Sequence, residues 1–243
     1  MRERALFRTS FRTAGHLACV LALTVGASAC AADPPPLTQS PEPLGESTLR
    51  DAVLDTKETA KFRVSTPMMT ENSGQLLWRT EEKACAPLLD TIGRGDFDAV
   101  RSVHASFWLD PGDVRPTALT LGSYRPGGAK KAMEQLEKAL TCKPFPAVGP
   151  MNRRYEVTVQ HLDGLRAGEE SRRFALDMVP ADSRDPHLVH EVNAARAGNL
   201  TTLTVIEVTL SGGLPDQRPT LGPDGVTEFL QRQYQKLNRP PEV

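Results

Sequence analysis

In several segments between residues 102 and 210, apolar and polar side chains alternate with the period of two that a half-buried β-strand requires. Val103, Ala105, Phe107 and Leu109 share one face of the first segment, with Ser102, His104 and Ser106 opposite. Thr117 to Tyr124 reads as a second strand, ended by Arg125-Pro126-Gly127-Gly128. Tyr155, Val157 and Val159 alternate with Glu156, Thr158 and Gln160, and Phe174, Leu176 and Met178 with Arg173, Ala175 and Asp177. Leu188 to Val192 and Leu203 to Val208 flank Gly198-Asn199. A Gly-Asn pair between two β-rich runs predicts a hairpin, because glycine accepts the positive φ that primed turns need.

Two stretches carry the helical period instead. Ala132, Met133, Leu136 and Leu140 fall on one face of a helix from Ala129, with Lys131, Glu134 and Lys138 outside and Glu134 placed to pair with Lys138. Val226, Phe229, Leu230, Tyr234 and Leu237 form the apolar stripe of a C-terminal helix, stopped by Pro240-Pro241. Pro87 to Ile92 predicts a shorter helix with proline in its first turn, and Leu49 to Leu54 a weak one. Few helices and consecutive hairpins point to an α+β fold, an antiparallel β-sheet packed by a few α-helices. A single domain is predicted over residues 48–243, since no linker-like stretch divides it.

The composition agrees with a globular chain. Of 243 residues 39% are hydrophobic and 24% charged, with a formal net charge of -1, which excludes wholly disordered, collagen-like and polytopic membrane classes. The absence of a basic excess argues against a nucleic-acid partner.

The first 47 residues differ in character. Arg2, Arg4, Arg8 and Arg12 lead into the apolar run Leu17 to Val25, too short to span a bilayer comfortably, followed by Ala27-Ser28-Ala29-Cys30. Residues 1–29 thus read as an export signal cleaved between Ala29 and Cys30. The triplet resembles the lipobox of bacterial lipoproteins, with Ala27 where a large aliphatic residue is usual, and also fits ordinary secretion. Cysteine arithmetic favours the lipoprotein. Cys19 leaves with the signal, so Cys30, Cys85 and Cys142 remain, and lipidation of Cys30 frees Cys85 and Cys142 to close a disulfide in an oxidising compartment. Two or more acyl chains on Cys30 would hold the protein at the extracytoplasmic face of the cell membrane; secretion is the alternative. Residues 30–47, with Pro34, Pro35, Pro36, Pro41 and Pro43 and little apolar bulk, predict an extended tether. Loss of the signal leaves 25 basic and 29 acidic residues, a mildly anionic body.

A Cys85–Cys142 bridge closes a loop of 58 residues and on the chain-entropy argument stabilises the fold by about 4 kcal/mol. No C-x-x-C spacing points to redox chemistry. The segment Cys85-Ala86-Pro87-Leu88-Leu89 after a strand at Lys61 to Ser65, the helix ending at Cys142, and the pair His187 to Arg196 and Leu200 to Leu210 about Gly198-Asn199 resemble the sensor-like lipoprotein domains of actinobacteria. That group includes the extracellular sensor domain of PknH-type kinases. The resemblance implies an antiparallel sheet with helices on one side, a cleft, and sensing or carrying of a ligand rather than catalysis. The kinase domains carry two disulfides, whereas this chain has cysteines for one.

Candidate chemistry is sparse. His187-x-x-His190 with Asp182, Asp185 and Glu191 is the one cluster of metal-ligating types, yet on a strand positions 187 and 190 point to opposite faces. No metal or cofactor is predicted. Asp90, Asp96, Asp98, Asp110 and Asp113 lie in turn-like surroundings that favour aspartate for backbone hydrogen bonding. Ser211-Gly212-Gly213 lacks the elbow of serine hydrolases, and no nucleotide-binding glycine loop is present. The Asn199-Leu200-Thr201 sequon needs no glycan. Trp78 and Trp108 suit a core better than a pocket. No catalytic residue is assigned. The reading that follows is a membrane-anchored binding or sensor-like domain for a small or lipidic ligand. The alternatives are an envelope interaction scaffold and, third, an envelope hydrolase built on His104 or His161.

Overall fold

The alternating segments hydrogen-bond into one antiparallel sheet, seen in a computed structural model that describes residues 36–59, 68–70, 78–108, 117–210 and 223–239. Its strands are β1 (Met68–Thr70), β2 (Arg101–Phe107), β3 (Thr117–Ser123), β4 (Phe145–Val148), β5 (Arg154–Leu162), β6 (Glu170–Pro180), β7 (His187–Ala197) and β8 (Leu200–Leu210). They lie in the order β1-β2-β3-β8-β7-β6-β5-β4, with every pairing antiparallel. The β7–β8 hairpin turns at Gly198-Asn199 as its sequence requires, Gly198 having a φ of 57°. The helices are α1 (Glu46–Ala52), the single turn α2 (Thr56–Thr59), α3 (Ala86–Ile92), α4 (Gly128–Ala139) and α5 (Pro223–Leu237).

Helices cover opposite faces of the sheet at its two ends, not one side as the family resemblance implies. Successive side chains along a strand point to opposite faces, so parity assigns each residue. Val103, Ala105 and Phe107 of β2, Leu119 and Leu121 of β3, and Leu200 and Ile206 of β8 pack with α1 and α5. Phe107 stacks on Phe229 of α5 at 4.7 Å between ring centres. Phe174, Leu176 and Met178 of β6, Tyr155 and Val157 of β5, and Leu203 of β8 belong to the other face, where α3 and α4 lie. In β7 the switch occurs between neighbours: Ala194 belongs to the α3–α4 core and Ala195 to the α1–α5 core. Two cores share one sheet.

Cys85 and Cys142 form a disulfide with their Cα atoms 6.0 Å apart, tying the start of α3 to the chain just past α4. Buried Gln233 of α5 donates to the Ala52 carbonyl at 2.5 Å and accepts the Leu54 amide at 3.2 Å, so one side chain satisfies backbone groups at the buried C-terminal end of α1.

The extended tether predicted up to residue 47 is corrected by its own second half. Leu37–Gln39 form a 3-10 turn, Thr38 and Leu44 are buried, and the Leu44 amide donates to Ser123 Oγ at 2.8 Å. The segment docks through these polar contacts and through Leu44 and Leu37, which pack into the α1–α5 core. The packed body therefore begins by Pro36 and not at Thr48. Glu134 takes Lys130 at 3.9 Å as its ionic partner, where Lys138 was expected. β1, β4 and α2 were not foreseen. The export signal with Ala29 and Cys30, the strand at Lys61 to Ser65, Leu109, Asp110, Asp113, Ser211 to Gly213 and Pro240-Pro241 lie outside the described residues.

Candidate functional site

A cleft of about 410 Å³ opens between α3 and α4 beside the disulfide. Lys83, Ala84, Ala86, Pro87 and Asp90 line it from the α3 side, Gln135 and Lys138 from α4, and Phe97 and Asp98 from the loop that follows α3. That loop is bent sharply. Phe97 and Asp98 have φ values of 48° and 60°, a left-handed conformation that costs a non-glycine residue about 1–2 kcal/mol. The bend is held from behind: the Asp98 amide donates to Asp96 Oδ1 at 3.2 Å, and the Tyr124 hydroxyl donates to the Asp96 carbonyl at 2.7 Å. Strain kept in place by surrounding structure is a recurrent property of binding sites.

The charges of this cleft are unspent. Among the described residues no ion pair or side-chain hydrogen bond is made by Lys83, Asp90, Asp98 or Lys138, although two of the four are cationic and two anionic. Burial raises the Asp90 carboxyl above its ordinary value; Arg94 opposes this, and Asp98 and Asp96 add to it. The cleft thus presents a partly desolvated carboxylate with no cation bonded to it.

A second groove, of about 430 Å³, lies between α5, the 37–39 turn and the loop before β6. Several of its polar groups are occupied. Thr38 Oγ1 donates to Asn238 Oδ1 at 2.5 Å, Gln231 Nε2 to the Arg166 carbonyl at 2.8 Å, and Glu169 is held by Arg196 at 2.8 Å and by the Gly198 amide at 2.9 Å. Tyr234 forms a wall of this groove, and burial pushes its phenol upward.

The histidines go to separate places. His187 lies 2.5 Å from Asp177, while His190, on the other face of β7, is buried edge-on to Trp78 with 6.0 Å between ring centres. The opposite-face expectation holds. Among the described residues no group of three or more His, Cys, Asp or Glu could hold a metal ion. Asp182 pairs with Arg184, Asp185 with Arg153 at 3.0 Å, and Glu191 with Arg173 at 2.8 Å. His161 Nε2 donates to the Leu140 carbonyl at 3.2 Å, beyond the end of α4. His104 comes nearest to a catalytic arrangement, with Nε2 3.3 Å from Ser102 Oγ, but its Nδ1 faces the Thr120 hydroxyl at 3.0 Å rather than a carboxylate. Asn199 of the sequon is engaged on both sides, accepting the Gly127 amide at 3.2 Å and donating to the Ser40 carbonyl at 3.2 Å. Trp78 packs on Tyr155 at 5.3 Å as part of the α3–α4 core, and Trp108 is half-buried after β2.

Of the residues singled out from sequence, Asp90 and Asp98 enter the candidate site; Lys83, Phe97, Gln135 and Lys138 were not anticipated. No protein-family model matches the chain. No curated protein matches it either. Among solved structures, the extracellular domain of PknH from Mycobacterium tuberculosis has a similar fold, with a TM-score of 0.51 and 11% sequence identity over 82% of this chain and 99% of that one.

Proposed function

We propose that this chain is an extracytoplasmic lipoprotein whose sheet-and-helix domain binds a small ligand, held to the membrane through Cys30. The observation that carries the binding reading is the α3–α4 cleft, where opposite charges converge without pairing beside a strained loop. Asp90 there is half-buried while Lys83, Asp98 and Lys138 are exposed, so charge of both signs stays accessible to a ligand. The disulfide between Cys85 and Cys142 supports an oxidising compartment. Likeness in fold to an extracellular domain points the same way. Arginines, an apolar run and Ala27-Ser28-Ala29-Cys30 stand in the order that export and lipidation require. The packed body starts by Pro36, only six residues after Cys30. We propose binding rather than catalysis, since the Ser102–His104 contact has no carboxylate orienting the imidazole.

Two measurements test this reading. Mass spectrometry of the mature N-terminal peptide should find Cys30 carrying acyl chains; an unmodified Cys30 overturns the anchor. Native mass spectrometry of the protein isolated from its own cells should show a bound small molecule, lost when Asp90 and Lys138 are both replaced by alanine.

A further inference from the structure

We propose that the α3–α4 cleft takes a zwitterion of amino-acid type, with its ammonium group set against Asp90 and Asp98 and its anionic group against Lys83 and Lys138. This rests on the ligand-binding reading above and adds the chemical class.

The charge arrangement carries the inference. Two lysines and two aspartates line one cleft, yet no Lys–Asp ion pair forms among them. Lys83, Asp98 and Lys138 are exposed and Asp90 is half-buried, and exposed pairs gain little by closing on one another. They line an opening with room for a molecule that meets both signs. The four formal charges cancel. A simple cation would meet only the aspartates, and a simple anion only the lysines. A molecule bearing both groups satisfies each set at once. Phe97, Pro87, Ala84 and Ala86 supply an apolar side for a short aliphatic stem. The volume of about 410 Å³ lies in the lower part of the range for small-molecule sites, roughly 300–1,000 Å³. Asp90 adds a reason for the ammonium group: it is half-buried, and the disfavour that burial and the neighbouring Asp98 and Asp96 place on its charged form exceeds what Arg94 offsets.

The test is titration of the ¹⁵N-labelled full chain, followed by NMR, with L-alanine, D-alanine and glycylglycine against ethylammonium and acetate. At least one zwitterion should shift the amides of Asp90, Phe97 and Gln135 saturably, at least tenfold more tightly than either single-charge probe. Asp98→Asn and Lys138→Met should each weaken that binding about tenfold. Asparagine tolerates the left-handed backbone at position 98, and Lys138 is exposed, so both variants should keep the wild-type amide spectrum away from the cleft. Zwitterions that bind no better than ethylammonium or acetate overturn the proposal. If a co-purified ligand of another class shifts these same amides, the zwitterion is wrong and the binding reading stands. If neither the probes nor any co-purified molecule shifts them, both fail.

Discussion

The carbonyl oxygen of Thr38 occupies the space where a side chain on Gly198 would begin: a Cβ there would lie 1.8 Å from it. Gly198 also has a φ of 57°, and the next residue, Asn199, donates its amide to that same carbonyl at 3.3 Å. The N-terminal segment is therefore seated on the β7–β8 turn, and only glycine permits it. Gly198→Ala should cost about 1–2 kcal/mol through the left-handed backbone alone, and should also lift residues 36–44 from the domain. Urea denaturation measures the first effect. Limited proteolysis measures the second, with new cleavage expected between Pro36 and Leu44; a variant cut no faster than wild type would show that the seat survives.

The disulfide joins the two helices that line the cleft, so its removal should be felt in both stability and binding. Replacing Cys85 and Cys142 together by alanine should lower the unfolding free energy by about 2–4 kcal/mol, read as a fall in denaturation midpoint. Binding of any cleft ligand should weaken with it, because α3 would lose its covalent tie to the end of α4.

What sequence reveals here is local, and what it hides is the meeting of distant parts. β5 to β8, α4 and α5 follow from side-chain periodicity over ten or so residues, and Gly198 marks the hairpin. β4 does not, since Phe145-Pro146-Ala147-Val148 is short and contains a proline that central strands exclude; it is an edge strand. The docking of Thr38 is equally invisible, because its partners Asn199 and Asn238 lie far along the chain and the contacts involve backbone and amide groups. In the candidate site the turn reading fits Asp96, which accepts the Asp98 amide. It could not foresee that Asp90 and Asp98 would share a cleft with Lys83 and Lys138, because that convergence depends on how α3 packs against α4.

His104 should make stability fall on mild acidification. Burial lowers its pKa below the ordinary value, with Asp96 opposing, while its cross-strand neighbours Thr120 and Thr70 are uncharged. The folded state then binds fewer protons than the unfolded state. The contribution of neutral His104 is complete above the unfolded value near about 6.5 and declines as pH falls through it. Urea melts from pH 7.5 to 5 should show wild type losing stability faster than His104→Gln, by less than the one-proton limit of about 1.4 kcal/mol per pH unit. Parallel curves for the two proteins would contradict this.

Asp90 should display the opposite bargain, stability given up for a site. Its carboxyl is raised mainly by burial, so at neutral pH the folded protein holds a charge that the unfolded chain would hold more easily. The sign follows: a raised carboxylate pKa destabilises the fold above that pKa, and the loss vanishes as pH drops below the unfolded value near about 3.9. Asp90→Asn keeps the shape and removes the charge. At pH 7 it should be more stable than wild type by a few tenths of a kcal/mol, the scale of a partly screened charge near the surface, and the gain should shrink toward pH 4. The same variant should bind a cationic group in the cleft less well. Stability rising while affinity falls is the pattern of a residue kept for function; a variant that loses stability at pH 7 would instead place Asp90 among the groups that hold α3 and its following loop together.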